Sequence, residues 1–326
     1  ADVEGNEASP QAFWNLKGQA LIATNNVEDA TAFFDRWLSF YPQDKNAVLG
    51  KLLIVDSQKQ FDQGLTLTNK VLAKRPDAQL TLLKAYFHSR LGQAKPAWEI
   101  INSTADDVKA LPFVRGVIAR LHLIDKAPEQ AVEHAQAAYD ATPNSDNALL
   151  LIAALEMSGK KAQAFTFLEK HVQARSNDIP SAMLLAERQI GKDRAAAIKT
   201  YEQVLTKTPD NFVVLNNLAY LALEDKNLTR AEELAKKAVS QQRENADAVD
   251  TLAQIYVAKG DKAAALKLYE EVSARPIAND DVYLNHVSVL LELDKKALAS
   301  RKLASREFKS EAAKQRAESL KQQYGL

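Results

Sequence analysis

The side chains that could do chemistry in this chain are few and poorly placed for it. Its five histidines (His88, His122, His134, His171 and His286) are scattered along the sequence, and no two have the i, i+4 spacing that brings a pair of imidazoles to one helix face for a metal. They read as surface or packing residues. The absence of cysteine removes thiolate nucleophiles, disulfides and cysteine-held zinc together. Glu232 beside Glu233, and Glu270 beside Glu271, read as mid-helix pairs on an outer face, and no serine stands in a nucleophile motif. The GKDRAAA stretch at Gly191 and the AKGDKAAA stretch at Ala258 read as turns between helices rather than phosphate loops. The chain is therefore expected not to be an enzyme, and no cofactor or metal is expected.

Charge narrows the partners. Lys plus Arg and Asp plus Glu both number 42, so no global field draws the chain to nucleic acid or anionic lipid. Residues 294–326 hold nine basic against four acidic side chains, which fits either docking to something acidic or a solvated terminal helix. Only Phe308 and Tyr324 interrupt that segment with aromatics, so nucleic acid is not expected as a partner. No run approaches the roughly 18 to 20 apolar residues that cross a bilayer. The first ten residues, with Asp2, Glu4 and Glu7, lack the pattern of a signal peptide, and the chain as given reads as soluble and as trimmed by processing or cloning.

The elements that must position any site are helices. The chain is 46% apolar with only ten glycines, and its abundant Ala, Leu, Lys, Glu and Gln favour helix. Prolines at 42, 76, 112, 143, 209 and 276 are spaced by 34, 36, 31, 66 and 67 residues, the metre of a helical repeat of about 34. In the stretch from Ala246 to Asn279, Val249, Leu252, Ala253 and Tyr256 share one helix face, Gly260 and Asp261 break it, and Ala265, Leu268, Tyr269 and Val272 mark a second helix closed by Pro276. The register recurs from Trp14, Gly18, Leu21, Ala30 and Phe34 through Leu184, Ala197, Tyr201 and Val204 to a ninth unit from Asp280. Pro96, Pro128 and Pro180 stand where helices should begin.

This pattern resembles the tetratricopeptide repeat, with large, Leu, small and aromatic positions in helix A and small, aromatic and small ones in helix B. The resemblance implies an all-α fold, a right-handed superhelical α-solenoid of about nine helix pairs. It would comprise an N-terminal extension over 1–10, the solenoid over 11–306 and a C-terminal capping helix over 307–326. It also implies a concave groove lined by the A helices. Carried onto these repeats, that face includes Asn15, Gln19, Tyr86, Arg90, Arg120, Glu156, Asn216, Tyr220, Asp247, Asp250 and Gln254. Asn216, Tyr220, Asp250 and Gln254 come from adjacent repeats and are expected to act as a set in binding a protein or peptide. The carboxylate clamp by which some members of the family hold chaperone tails needs a basic pair where this chain has Asp247 and Thr251, which counts against that role.

The last third, through Leu215 to Ala219 and Asp250 to Ala253, is similar to repeat proteins of the bacterial envelope tied to exopolysaccharide export, above all those accompanying the exosortase/PEP-CTERM sorting system. That similarity implies a non-enzymatic, periplasmic or envelope-associated scaffold with polysaccharide-export machinery among its candidate partners. A cytosolic adaptor or co-chaperone is the alternative, and a helical sugar-processing enzyme a third. Nothing in the sequence points to an oligomeric state.

Overall fold

Asparagine or aspartate recurs where the helices must begin. Asn144, Asp178, Asn211, Asn245 and Asn279, separated by 34, 33, 34 and 34 residues, each accept a backbone N–H two or three residues on and so cap the next helix. Asp44 and Asp77 do the same earlier in the chain. The computed structural model describes residues 5–24, 26–273 and 276–326. Among these there is no strand, and no helix is long and apolar enough to cross a membrane.

The chain forms two units, Ala1–His171 and Val172–Leu326. In order, the first holds α1 (Gln11–Ala23), α2 (Val27–Phe40), α3 (Lys45–Ser57), α4 (Phe61–Leu72), α5 (Ala78–Arg90), α6 (Ala94–Asn102), the short α7 (Asp106–Lys109), α8 (Pro112–Ile124), α9 (Pro128–Ala141), α10 (Ser145–Met157) and most of α11 (Lys161–Ala174). The second holds α12 (Ile179–Ile190), α13 (Arg194–Lys207), α14 (Phe212–Glu224), α15 (Leu228–Gln241), α16 (Ala246–Ala258), α17 (Lys262–Val272), α18 (Asp280–Glu292), α19 (Lys296–Ala304) and α20 (Glu311–Tyr324). Setting α7 and α20 aside, the described residues form nine pairs of A and B helices in alternation, the α-solenoid class that the repeat pattern implies.

Inside seven of the hairpins a left-handed residue makes the turn, namely Lys59, Gly92, Lys126, Gly159, Lys226, Gly260 and Asp294, with φ between 58° and 87°. The next amide reaches back five residues to the A helix, as Gln60 does to Val55 at 2.8 Å and Asp261 to Tyr256 at 2.8 Å, which closes the helix C-terminus. Small residues then let A and B helices close up, with Ala85, Ala97, Ala119, Ala131, Ala253 and Ala265 all fully buried. Two glycines serve the same end. A Cβ on Gly50 would meet the Phe34 ring at 2.1 Å, and one on Gly64 would meet Phe87 at 2.5 Å.

Three expectations change. Pro112 opens α8, where its missing N–H costs nothing, instead of closing the repeat before it; α6 has only nine residues and is followed by the four-residue α7. In α12 the packing face is Ala182, Leu185 and Ala186, so Leu184 is only half-buried. The capping helix starts at Glu311, capped by Ser310, because Arg306 is spent on a bridge. Its guanidinium donates to Asp280 at 2.6 and 2.8 Å and to the carbonyl of Ile277 at 2.6 Å, which keeps the preceding segment extended. Of the N-terminal extension, residues 1–4 lie outside those described. The rest is tied to the first hairpin, with the Gly5 carbonyl accepting from Arg36 at 2.6 Å and that of Glu7 from Tyr41 at 2.6 Å.

Candidate functional site

Within the first unit, α3, α5, α8 and α10 line a groove of about 480 Å³. One wall is apolar, with Leu49, Leu53, Leu83 and Phe113, and Leu53 and Phe113 are 50% and 44% exposed. Side chains of that size left open together mark a surface meant to be covered. The other wall is polar. Tyr86 donates to Asp56 at 2.6 Å and accepts from Arg90 at 2.8 Å, and Arg90 also faces Asp146 at 3.8 Å while lying over the Phe61 ring at 4.2 Å. Burial and then the Asp56 carboxylate push the Tyr86 phenol above its ordinary value, so it remains a neutral donor.

Arg120 completes this wall. Its Nε is buried without a hydrogen-bond partner, and burial followed by the Arg90 charge lowers its pKa from the ordinary value. An arginine remains charged under such conditions, so the groove holds a cation whose donors are incompletely met. The structure thus brings together Tyr86 and Arg90 of α5 with Arg120 of α8, from two successive repeats. Sequence reasoning missed Leu53, Asp56, Phe113, Gly116 and Asp146 beside them. Leu53 had one signal, since α3 carries more apolar residues than one buried face requires.

In the second unit the expected set divides. Tyr220 is 45% exposed and donates to Glu224 at 2.9 Å, while Asn216 is half-buried with its Oδ1 unpartnered. Asp247 is exposed and accepts from Asn279 at 2.8 Å. Asp250 is not an open groove residue. It is 8% exposed and accepts from Tyr269 at 2.6 Å, from Asn285 at 2.9 and 3.0 Å and from Gln254, joining α16, α17 and α18. Gln254 is half-buried in the same network. The sequence pattern gives the helix face of Asp250 but not the neighbouring Asn285 that reaches over it. Earlier along the chain, Asn15 accepts from Asn46 at 2.9 Å and Gln19 is exposed.

The histidines go to packing. His88 meets Gln93 at 2.7 Å, His171 meets Tyr139 at 2.8 Å, and His122 and His134 stack with centroids 5.6 Å apart. Among the described residues no group of three or more His, Asp or Glu is arranged to hold a metal. His286, 2% exposed, stacks on Tyr269 at 5.1 Å, and burial followed by the Lys302 charge pushes its pKa down to about 4. Because the folded value lies below the unfolded one of about 6.5, its stabilising contribution is complete above pH 6.5 and is lost as pH falls toward 4. Asp250 works against this, since burial raises its pKa and the folded state gains as it takes up its proton. Denaturant titrations between pH 7 and 4 should show stability of the second unit falling by up to about 3 kcal/mol, and His286→Gln should flatten or reverse that slope. An unchanged slope in the variant would assign the acid sensitivity elsewhere.

Comparison with known proteins bears on the repeats. Family models described as tetratricopeptide repeat match residues 3–45, 200–233 and 222–276. Tetratricopeptide repeat protein 21B of Xenopus laevis is 24% identical over 255 residues, which is 69% of this chain but 19% of that protein. An uncharacterized protein of Haemophilus influenzae is 23% identical over 165 residues, covering 50% of this chain and 76% of the relative. Among solved structures, the APC/C hetero-tetramer Cut9-Hcn1 matches over 95% of this chain and 63% of its own, with TM-score 0.57 and 14% identity. Human IFIT1, solved as a dimer with PPP-AAAA, matches over 82% and 73% with TM-score 0.54 and 15% identity. At these identities the structural likeness establishes the fold alone.

Proposed function

We propose, from the premise that this chain is a tetratricopeptide-repeat protein, that it is a protein-binding scaffold which docks a segment of its partner in the groove of α3, α5, α8 and α10. The carrying observation is the pairing of exposed Leu53 and Phe113 with Tyr86 and Arg120, Arg90 standing behind them on the Tyr86 hydroxyl. Apolar anchors beside a few fixed polar groups suit a peptide better than a small metabolite in a site this open. We place the scaffold in the bacterial cell envelope, in exopolysaccharide export or exosortase-linked sorting. That placement rests on the similarity of the Leu215 to Ala219 and Asp250 to Ala253 segments, most of whose residues are buried and serve the repeat itself.

The test is capture from envelope extracts by the immobilised chain, read by mass spectrometry, against two variants. Leu53→Glu with Phe113→Glu should lose the partner by well over tenfold in affinity, since anchor residues commonly contribute about 2 kcal/mol or more each. Asn216→Ala with Tyr220→Ala, in the second unit, should retain it. The opposite result would move the docking surface to α14. Capture only from cytosolic extracts would favour a cytosolic adaptor.

A further inference from the structure

Gly116 has no packing reason to be glycine. It lies inside α8, where glycine costs up to about 1 kcal/mol relative to alanine. Gly50 and Gly64 are explained by aromatic rings that leave no space for a Cβ. A Cβ on Gly116 would meet nothing closer than Asn147 Oδ1 at 3.7 Å and Ala138 Cβ at 3.8 Å, which is ordinary contact. Gly116 nevertheless lines the groove, between Phe113 and Arg120 on the same helix. A helix surface stripped to its backbone at the floor of a groove allows another chain to approach closely. One helical turn away, Arg120 Nε is buried without an acceptor. The nearby carboxylates make their bonds elsewhere, Asp56 with Tyr86 and Asp146 facing Arg90, and reach the Arg120 charge only through space.

Resting on the groove as the docking surface, we infer that its occupant is a peptide segment of another protein that carries one Asp or Glu side chain, received by Arg120. An apolar side chain of the same segment packs against Leu53 and Phe113, and its backbone crosses α8 at Gly116. A carboxylate is the acceptor that a planar guanidinium matches best, and the desolvated site strengthens the pair. The neighbouring leucine and phenylalanine give the acid its context, so an acidic tail without apolar residues is a poor occupant.

Short random peptides displayed on phage and selected against the intact chain test this. Enriched sequences should share an acid next to Leu, Ile, Met or Phe. A synthetic peptide of that sequence should lose about tenfold or more in affinity when its acid becomes the amide, when Arg120→Met is the receptor, and when Gly116→Ala is the receptor. Gly116→Ala should melt at an unchanged or higher temperature, which separates lost approach from lost fold. If the enriched peptides depend on Phe113, shown by loss on Phe113→Glu, yet carry no acid, the carboxylate inference fails and the groove stands. Peptides indifferent to Phe113→Glu, or no enriched sequence at all, would overturn both.

Discussion

Replacing Asp250 with alanine is expected to destabilise the second unit by about 3 kcal/mol, because the loss strands one buried and two half-buried donors at once. The Tyr269 hydroxyl, the Gln254 amide and the Asn285 amide all end on this carboxylate, and Arg316 of the capping helix donates in turn to Asn285. Asp250→Asn keeps one acceptor but turns an amide toward the donors, and should recover about half the loss. Repeat arrays do not always unfold in one step, so the sensitive measurement is amide hydrogen exchange. Protection should fall across α16 to α20 and stay unchanged in α1 to α10. A global change below about 0.5 kcal/mol would mean that the network forms equally well around water.

Ala265→Glu is the second large effect, expected to cost about 3 kcal/mol or more. Ala265 is fully buried within the cluster that includes Ala253, Val249 and Tyr269. The substitution adds volume where α16 and α17 approach and places an unpaired charge there. Chemical denaturation with circular dichroism should show the loss. A nearly silent variant would mean that α17 is rotated from the face assigned to it.

The alternation of helices was legible because buried alanines and aromatics recur with the helical period, and Ala253, Tyr256, Ala265 and Tyr269 each read correctly. The metre itself was harder to see. Prolines mark it unevenly because Pro112 begins a helix whereas Pro143 and Pro209 lie between helices. The caps mark it better, but a single Asp or Asn is too common to stand out. Gly260 stood out as a break, but four of the left-handed turn residues were hidden, since Lys59, Lys126, Lys226 and Asp294 occupy a conformation for which glycine is the usual signal. At the groove, sequence placed Tyr86, Arg90 and Arg120 on inward faces, yet their grouping depends on how α5 and α8 of adjacent repeats stack. Asp250 shows the converse. Its helix position is that of an open polar residue, and Tyr269 and Asn285, 19 and 35 positions on, reach over it.

Caps ahead of successive A helices fall at Asp77, Leu111 and Asn144, so the spacing of 34 and 33 residues holds even across the third hairpin, where α6 is short and α7 is inserted. One residue added within a helix turns everything beyond it by about 100°, which would swing the packing alanines out of contact. A shortened helix is instead made up in the loop until the next cap returns to its place. Change in the length of this protein is therefore quantised: a lineage can gain or lose a whole hairpin pair, or trade helix for loop within one, but single-residue insertions within the helices have little room.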